Sequence, residues 1–340
     1  MNKLFNPKVG ICWNSTENKF LYLSEKLYNL GIKFKSLDPE LIDMEQPDDD
    51  IDILYIHPKD ANLIPRYFDI FNNLKWVQGQ FAGVDTFIKY KDLFNKRNIL
   101  LTNAKGAFSP SLGEFVVAYL LYWEKNLGVF KDLQKEKNWK LAPVNMLQGK
   151  TMGIVGYGNI GAEVAKRLKF GFNVKIIGLK NSLNNNINDI STSYVDELID
   201  KTQLDYLLSK SDYVCSILPK TVETDGLFND KTFCKFKKGS IFINIGRGSS
   251  VNEDDLIKHL KSQSNLRAAC LDVTQIEPLP KDSPLWELSN CYISNHSADF
   301  LNDGLNNQKL TIDLFVDIIV SDYLNFGIPK KNIINFELGY

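Results

Sequence analysis

The chain has 340 residues and a mass of 38.8 kDa, and 44% of its residues are hydrophobic and 24% charged. This length predicts about two domains, and the ordinary composition excludes a largely disordered, collagen-like or disulfide-stapled protein. Forty basic and 41 acidic residues give a net charge of −1, which predicts no general attraction to nucleic acid or to an anionic membrane.

The sequence shows neither a signal core nor a membrane span. The N-terminus is not apolar, and no stretch reaches the ~18 uninterrupted apolar residues of a membrane helix. We therefore expect a cytoplasmic protein without membrane or nucleic-acid partners. Its five cysteines include no C-x-x-C pair, and four of them lie in or beside apolar runs, which predicts reduced, small core residues and no metal site.

Short apolar runs, typical of buried strands, alternate with amphipathic stretches along most of the chain. The predicted strands are Val9–Trp13, Ile53–His57, Trp76–Gln78, Ile99–Thr102, Gly153–Gly156, Val174–Gly178, Tyr213–Leu218, Ile241–Ile245, Ala268–Val273 and Tyr292–Ser294. The predicted helices are Lys19–Tyr28, Pro110 to about Asn126, Ile160–Phe170, Asp196–Leu208, Asp254–Ser262 and Leu301–Leu324. Apolar strands separated by helices indicate an α/β protein with parallel sheets covered on both faces. Two doubly wound units explain so many strands better than one sheet does.

We place the first domain boundary near Lys105, where the helix from Pro110 would lead into the second unit. The residues after Asp299 follow the last strand of that unit and are expected to fold back on the first. The polar stretch Asn181–Asp189 and the mixed-charge stretch Lys125–Lys140 are expected to lie at the surface.

A glycine-rich motif of the form G-x-G-x-x-G follows the strand around Met152–Val155 and opens a helix. It consists of Gly156, Tyr157, Gly158, Asn159, Ile160 and Gly161. The first glycine permits a tight turn, the second lets the backbone approach a pyrophosphate, and the third allows close packing of helix on strand. The helix N-terminus adds N–H groups and a positive dipole, so the motif predicts a dinucleotide site.

The end of the next strand bears on the choice of cofactor. An NAD site usually has Asp or Glu about 20 residues on, which holds the ribose 2′-hydroxyl. Here the chain has Lys180, followed by Asn181. A cation neutralises a 2′-phosphate, so Lys180 favours NADP over NAD; the alternative is that it points to water and the site takes either.

The chain has three histidines. His259 lies on the polar side of a helix and is expected to be solvated, whereas His57 ends a strand of the first unit and would edge a cleft. His296 follows the strand at 292–294, at the carboxyl end of the sheet where α/β proteins bind ligands.

Arg247 and Glu277 follow the ends of two other strands on the same edge of the predicted sheet as His296. An arginine can grip a carboxylate and polarise the neighbouring carbonyl. A histidine can pass a proton near neutral pH, and a carboxylate beside it favours its charged form and fixes its tautomer. With the hydride of a nicotinamide, these residue types suit the reduction of a carbonyl.

From about Leu74 to the end, the chain resembles the D-isomer-specific 2-hydroxyacid dehydrogenase family. The segments that carry the resemblance are L-K-W-V-Q-G-Q-F-A-G-V-D (74–85), L-T-N-A-K-G-A-F-S (101–109), G-K-T-M-G-I-V-G-Y-G-N-I-G (149–161), S-D-Y-V-C-S-I-L-P-K-T-V-E-T-D-G-L (211–227), K-K-G-S-I-F-I-N-I-G-R-G (237–248), A-A-C-L-D-V-T-Q-I-E-P-L-P (268–280) and S-N-H-S-A (294–298). Residues 1–73 match in pattern alone.

The resemblance implies a Rossmann cofactor domain at 106–299 and a flavodoxin-like substrate domain made of 1–105 and 300–340, with a cleft between them. It also implies a homodimer joined through the cofactor domains, with the helix Pro110–Asn126 as its apolar face. It implies that Arg247 binds and polarises the substrate, that His296 donates the proton, and that Glu277 pairs with His296. It also implies a set of binding contacts: Asp272 with the nicotinamide end; Leu218, Pro219, Ile245 and Gly246 along the cofactor; and the backbone N–H groups of Phe81, Ala82 and Gly83 with the substrate carboxylate.

The chain departs from the family pattern at two positions. Lys180 replaces the usual acidic residue, which puts NAD preference in doubt, and Ser294-Asn295-His296 replaces the usual S/T-P-H, which predicts a looser histidine loop.

The main interpretation is an NAD(P)H-dependent reductase of short 2-oxo acids, with glyoxylate or hydroxypyruvate as the default substrate. Phe81 and Phe108 would suit a larger apolar substrate or belong to the core. The alternatives are a dinucleotide-sensing regulatory protein on the same fold and a related formate or phosphite dehydrogenase.

Overall fold

The structure is a computed structural model that describes residues 5–181, 193–305 and 307–337. The chain forms two compact units, Met1–Ala107 with Leu301–Tyr340 and Phe108–Phe300. Apart from Asn181, the predicted polar loop Asn181–Asp189 lies outside the described residues. No helix in the described parts of the chain is long and apolar enough to cross a membrane.

The described part of the first unit contains a parallel sheet of five strands in the order β2-β1-β3-β4-β5. The strands are β1 (Lys8–Ile11), β2 (Lys33–Ser36), β3 (Ile53–Ile56), β4 (Trp76–Gly79) and β5 (Leu100–Thr102). The helices of its first segment are α1 (Asn18–Asn29), α2 (Ile64–Ile70), α3 (Asp85–Ile88) and α4 (Lys91–Arg97). This strand order is that of flavodoxin-like sheets.

The described part of the second unit contains a parallel sheet of seven strands in the order β12-β11-β10-β9-β6-β7-β8. The strands are β6 (Thr151–Val155), β7 (Lys175–Lys180), β8 (Glu197–Asp200), β9 (Tyr213–Ser216), β10 (Ser240–Asn244), β11 (Leu266–Leu271) and β12 (Cys291–Ile293). The helices are α5 (Ser109–Glu124), α6 (Leu127–Lys135), α7 (Asn159–Phe172), α8 (Leu204–Lys210), α9 (Asp230–Phe233) and α10 (Glu253–Ser262). The order reverses between β6 and β9, which is the switch point of a Rossmann sheet and the place where such sheets bind dinucleotides.

The tail of the chain belongs to the first unit. It forms α11 (Lys309–Ile318), a π-helical turn at Ile319–Tyr323 and α12 (Leu324–Phe326). Ile312, Phe315 and Ile318 of this tail are buried in the same core cluster as Val9 and Trp76 of the sheet. The tail therefore covers one face of the five-stranded sheet.

The buried strands follow the predicted apolar runs closely, because both faces of these sheets are covered. All residues of β3 and of β10 are buried, and on each side of the first sheet a separate apolar cluster packs. The prediction of two parallel doubly wound sheets is confirmed.

In the part of the chain that the structure describes, two strands were not predicted, and both are edge strands. β2 has the sequence K-F-K-S and β8 has E-L-I-D, and each keeps most of its side chains partly exposed. The criterion of continuous apolar residues fails at an edge, where part of the strand faces solvent. The helix predicted at Asp196–Leu208 is therefore wrong in its first half, since helix α8 begins at Leu204.

The helix predicted at Leu301–Leu324 is also wrong in its first part, because α11 begins at Lys309. The carboxylate of Asp303 accepts the backbone N–H groups of Leu305, Asn307 and Lys309 at 2.8–3.0 Å. A short polar side chain that binds nearby backbone groups offers the chain an alternative to helix.

Candidate active site

In the second unit, functional side chains gather beyond the carboxyl ends of neighbouring parallel strands. Arg247 follows β10, Asp272 and Glu277 follow β11, and His296 follows β12. The glycine-rich motif follows β6 at the same edge of the same sheet. The sheet thus places the predicted acid–base residues and the predicted cofactor loop along one edge.

The three glycines of the motif have the separate roles that a pyrophosphate loop requires. Gly156 has φ +96°, and a Cβ there would lie 2.6 Å from the carbonyl oxygen of Ile217. Gly161 packs its helix on the strand, because a Cβ would lie 3.1 Å from Cγ2 of Ile154. At Gly158, by contrast, no described heavy atom lies within 4 Å of the Cβ position, so a phosphate has open access to the backbone. Helix α7 begins at the next residue, Asn159, and the loop therefore fits a dinucleotide.

The residues predicted to line the cofactor form a tightly packed backbone layer at the switch point. A Cβ on Gly246 would lie 2.6 Å from the backbone nitrogen of Leu218. Leu218 and Ile245 are both buried, with 9% and 5% of their surface exposed, and Pro219 follows Leu218 after strand β9. The loops after β6, β9 and β10 are therefore brought side by side. Their cofactor roles stay predictions.

Lys180 is the last residue of β7 and is half-buried, with Asn181 exposed beside it. Its Nζ lies 5.8 Å from the ring centroid of Tyr157, the second residue of the glycine motif. This distance is within the range of a cation–π contact. The structure thus brings the lysine to the cofactor loop.

Arg247 lies on a loop that is held from both sides. Asn244 Nδ2 and Ser250 Oγ donate to its carbonyl oxygen at 3.1 and 2.8 Å, and Nη1 of Arg247 donates to Gly246 O at 2.9 Å. At Gly248 a Cβ would lie only 1.9 Å from the carbonyl oxygen of Thr274. The arginine loop therefore packs directly on the loop that leads to Glu277.

Glu277 and His296 form a hydrogen-bonded pair. Glu277 Oε2 lies 2.8 Å from His296 Nδ1, and Oε1 accepts the backbone N–H of Thr274 at 3.0 Å. A carboxylate only accepts, so the pair places a hydrogen on Nδ1 of the imidazole and leaves Nε2 as the other ring nitrogen. The side chain of His296 is 45% exposed, which leaves its ring accessible to a substrate.

The histidine loop explains why asparagine can stand where a proline was expected. Asn295 has φ +54° and His296 has φ +53°. Proline is confined to φ near −65° and cannot adopt this conformation, whereas asparagine tolerates it better than most residues. Asp272 Oδ1 accepts the backbone N–H groups of Ser297 and Ala298 at 2.9 and 3.1 Å, so hydrogen bonds hold the loop without proline.

Asp299 is an additional carboxyl group at this site that sequence reasoning missed. Burial raises its pKa above the ordinary value; the charges of His296 and Arg247 oppose this shift and that of Asp272 reinforces it. The charges of His296, Arg247 and Asp272 therefore all act on this carboxyl group. The signal that could have found it was its place three residues after His296.

The predicted substrate loop lies in the first unit, directly after β4. Asn103 Nδ2 donates to the carbonyl oxygen of Ala82 at 2.7 Å, and the ring of Phe81 meets the ring of His57 at 5.1 Å between centroids. His57 Nδ1 accepts the backbone N–H of Lys59 at 3.0 Å, and burial lowers the pKa of His57 to about 4. The substrate roles of Phe81, Ala82 and Gly83 stay predictions.

The expectation that His259 is solvated was wrong. It is 5% exposed, its Nε2 lies 3.0 Å from Asp230 Oδ1, and its ring packs 5.5 Å from that of Phe233. The helix face that carries His259 is buried against α9, which the local sequence does not show.

Cys234 is exposed, while Cys12, Cys215 and Cys270 are buried, as expected for cysteines within apolar strands. Among the described residues, ligand atoms of Asp230, Cys234 and His259 lie within 4.8 Å of one another. However, the ammonium of Lys258 lies 2.8 Å from Asp230 Oδ1 and neutralises that carboxylate. We assign no metal to this cluster.

Comparisons with known proteins identify the family of this chain. A family model described as D-isomer specific 2-hydroxyacid dehydrogenase, NAD binding domain, matches residues 117–298, which is more than half of the chain. The chain belongs to the D-isomer specific 2-hydroxyacid dehydrogenase family. This membership confirms the resemblance inferred from the motifs.

Individual relatives of this dehydrogenase cover most of its length. The glyoxylate/hydroxypyruvate reductase B of Enterobacter sp. (strain 638) is 36% identical over 261 residues, which are 75% of this chain and 76% of the relative. A D-isomer specific 2-hydroxyacid dehydrogenase family protein from Aeromonas salmonicida is 28% identical, with a TM-score of 0.75 and coverage of 98% of this chain and 100% of that chain. A probable 2-hydroxyacid dehydrogenase from Rhizobium etli, solved in complex with NADP, is 25% identical, with a TM-score of 0.77 and coverage of 98% and 99%.

The predicted class of enzyme is thereby confirmed. This 2-hydroxyacid dehydrogenase is an oxidoreductase that transfers hydride between a nicotinamide dinucleotide and a 2-oxo or 2-hydroxy acid.

Proposed function

We propose that this dehydrogenase reduces short 2-oxo acids, with glyoxylate and hydroxypyruvate as the first candidates, to D-2-hydroxy acids. The observation that carries the proposal is the Glu277–His296 pair, 2.8 Å between Oε2 and Nδ1, beside the loop of Arg247. The relative in Enterobacter is named for the same two substrates.

Each site residue has one task in the proposed reaction. A nicotinamide dinucleotide held at this edge would supply the hydride for the carbonyl carbon. Arg247 grips the substrate carboxylate and polarises the neighbouring carbonyl oxygen. His296 donates its Nε2 proton to that oxygen, which becomes the hydroxyl group of the product, and the neutral imidazole then regains a proton from solvent. Glu277 holds the ring and stabilises its charged form.

We further propose NADP(H) as the preferred cofactor. Lys180 ends β7 beside Tyr157 of the glycine motif, where a cation favours the additional negative charge of a 2′-phosphate. The Rhizobium etli structure, which is 25% identical, holds NADP. Asp272 and the loops at Leu218–Pro219 and Ile245–Gly246 would line the rest of the cofactor.

We also propose a homodimer formed through the second unit. In that unit, α6 and the residues after it expose large apolar side chains, with Trp139 99% and Leu141 91% exposed. Helix α6 itself exposes Leu127, Val129 and Phe130. Exposed apolar patches of this kind mark interfaces.

Replacing Trp139 and Leu141 by serine should shift the protein to a smaller species in light scattering. An unchanged mass would exclude this surface as the dimer interface. The cytoplasmic location stays a prediction.

A matrix of substrates and cofactors tests the proposed function. Purified protein is assayed for oxidation of NADPH and of NADH with glyoxylate, hydroxypyruvate, pyruvate and a branched 2-oxo acid, and Arg247→Lys serves as the matched variant. We expect turnover with the short oxo acids, faster with NADPH, and a raised KM in the variant because lysine lacks the forked guanidinium. Tight cofactor binding without turnover would favour the regulatory alternative. Reduction of the oxidised cofactor by formate or phosphite would favour the third interpretation.

A further inference from the structure

We propose that Tyr119 is a positioning residue for His296 and acts through a chain of hydroxyl groups that runs from Tyr119 to Ser294 and on to Asp272. The proposal rests on the proposed function, in which His296 donates the proton. Tyr119 lies on α5, 175 residues from Ser294 in sequence, and its hydroxyl contacts that of Ser294.

The direction of the chain follows from the number of protons available. Ser294 Oγ lies 2.5 Å from Asp272 Oδ1, and a carboxylate only accepts, so Ser294 donates its single proton there. The oxygen of Ser294 can then only accept from Tyr119, which donates. Burial raises the pKa of Tyr119, so its hydroxyl stays protonated as this role requires.

The carboxylate at the end of the chain controls the histidine loop. Besides Ser294, Asp272 Oδ1 binds the backbone N–H groups of Ser297 and Ala298 at 2.9 and 3.1 Å. The backbone carbonyl of Asp272 accepts the N–H of His296 at 2.6 Å. Three donors therefore converge on one oxygen, on either side of His296 along the chain, and any movement of this oxygen moves the loop.

The loop needs such control because of its backbone conformation. Two consecutive residues, Asn295 and His296, have φ near +54°, and a left-handed conformation at a residue other than glycine persists only where the surroundings enforce it. Hydrogen bonds to Asp272 supply that enforcement. Tyr119 in turn fixes the hydroxyl of Ser294, which would otherwise rotate freely about its Cβ–Oγ bond.

Tyr119 is a rigid support for this chain. It is 3% exposed, and its ring packs against those of Phe115 at 5.6 Å and Tyr292 at 5.7 Å. Tyr292 belongs to β12, the strand that leads into the histidine loop. The phenol therefore connects α5 to the end of the strand that carries His296.

The test compares Tyr119→Phe with Tyr122→Phe, a tyrosine of the same helix whose ring also contacts Tyr292, at 5.0 Å. In Tyr119→Phe we expect kcat to fall about tenfold, with the KM of the oxo acid and the Kd of NADPH within about twofold of the parent protein. The solvent isotope effect on kcat should rise, because a displaced imidazole makes proton transfer more limiting. The control should keep all four values.

A second readout does not depend on turnover. Amide hydrogen exchange of the segment 294–300 should accelerate in Tyr119→Phe and not in Tyr122→Phe, since the amides of Ser297 and Ala298 bind Asp272. Ser294→Ala should reproduce both effects of Tyr119→Phe. Ser294→Thr, which keeps a hydroxyl, should keep the kcat and the exchange rate of the parent protein.

Two results would overturn the inference: exchange of the segment that stays at the parent rate in Tyr119→Phe, or kcat and isotope effects that change equally in the two tyrosine variants. If the parent protein turns over none of the oxo acids, the proposed function fails, while the exchange rates still decide whether Tyr119 controls this loop.

Discussion

Oε2 of Glu277 lies 2.8 Å from Nδ1 of His296, while Oε1 of the same carboxylate accepts the N–H of Thr274 at 3.0 Å. Both oxygens are thus held by different partners, one of them a backbone group that cannot rotate away. The carboxylate is an orienting group for the imidazole, and the ring nitrogen that remains, Nε2, is the one that can face a carbonyl oxygen.

The first prediction concerns Glu277→Gln. The amide keeps the shape of the side chain but removes the negative charge and can donate to Nδ1, so the tautomer is no longer fixed. We expect kcat to fall by about 10- to 100-fold with an unchanged Kd for NADPH. Glu253→Gln is the control, because Glu253 also binds a backbone N–H, that of Gln275 at 2.6 Å, and it should keep kcat within about twofold. Equal losses in both variants would contradict the orienting role.

The second prediction separates chemistry from stability with two histidines. His296→Ala should lower turnover at least ~100-fold, the scale of general acid–base catalysis, and leave cofactor affinity similar. His259→Gln should instead lower the Tm and leave kcat per folded molecule unchanged, because His259 is buried against Phe233 and Asp230. Comparable rates in His296→Ala and the parent protein would exclude His296 as the proton donor.

The third prediction uses two glycines with open space at the Cβ position. The new methyl group of Gly158→Ala would have no described atom within 4 Å, so the free protein should keep its Tm. The same methyl group would occupy the approach of a pyrophosphate and should weaken NADPH binding at least ~10-fold. Gly171→Ala, equally open and in the last turn of α7, should keep the affinity and gain stability. An unchanged Kd in Gly158→Ala would mean that the loop does not bind phosphate.

The fourth prediction concerns cofactor choice. Lys180→Asp replaces attraction by repulsion of the 2′-phosphate and should lower the ratio of kcat/KM for NADPH to that for NADH by about 10- to 100-fold. Lys210→Asp is the control. Lys210 ends α8 just before β9, at the amino end of that strand and away from the cofactor edge. The ratio of kcat/KM for NADPH to that for NADH should therefore stay unchanged in Lys210→Asp. A constant ratio in Lys180→Asp would make the lysine a bystander.

The fifth prediction follows from Asp299, whose pKa is raised by burial. A carboxyl with a raised folded-state pKa contributes most to stability below its unfolded pKa, and this contribution is lost as the pH rises through the folded-state value. Asp299→Asn cannot ionise, so it should raise the Tm relative to the parent protein by ~2 °C at pH 8 and by less at pH 5.

Asp282→Asn, at an exposed carboxylate, is the control for this comparison. Its difference from the parent protein should be the same at pH 5 and pH 8. A Tm difference of Asp299→Asn that is independent of pH, or that grows towards low pH, would contradict the assigned direction.

Several features of this dehydrogenase were readable from short stretches of sequence, because their physical cause is local. A glycine that needs φ +96° or an open approach marks its own position, as Gly156 and Gly158 do. Strands covered on both faces, such as β3 and β10, appear as continuous apolar runs for the same reason. The ends of such runs then placed Arg247, Glu277 and His296 on one edge of a parallel sheet.

Other features arise from contacts between residues far apart in the chain, and no short stretch contains them. Tyr119 and Ser294 are 175 residues apart, and Ser294 and Asp272 are 22 apart, yet they form one hydrogen-bonded chain. His259 was misread because α9 covers its helix face, and the edge strand β8 was misread because its pairing with β7 does not show in its composition. Residue types and their spacing indicated the chemistry of this site. Burial and hydrogen bonding depend on neighbours that only the folded chain brings together, so packing determined which groups hold the site in place.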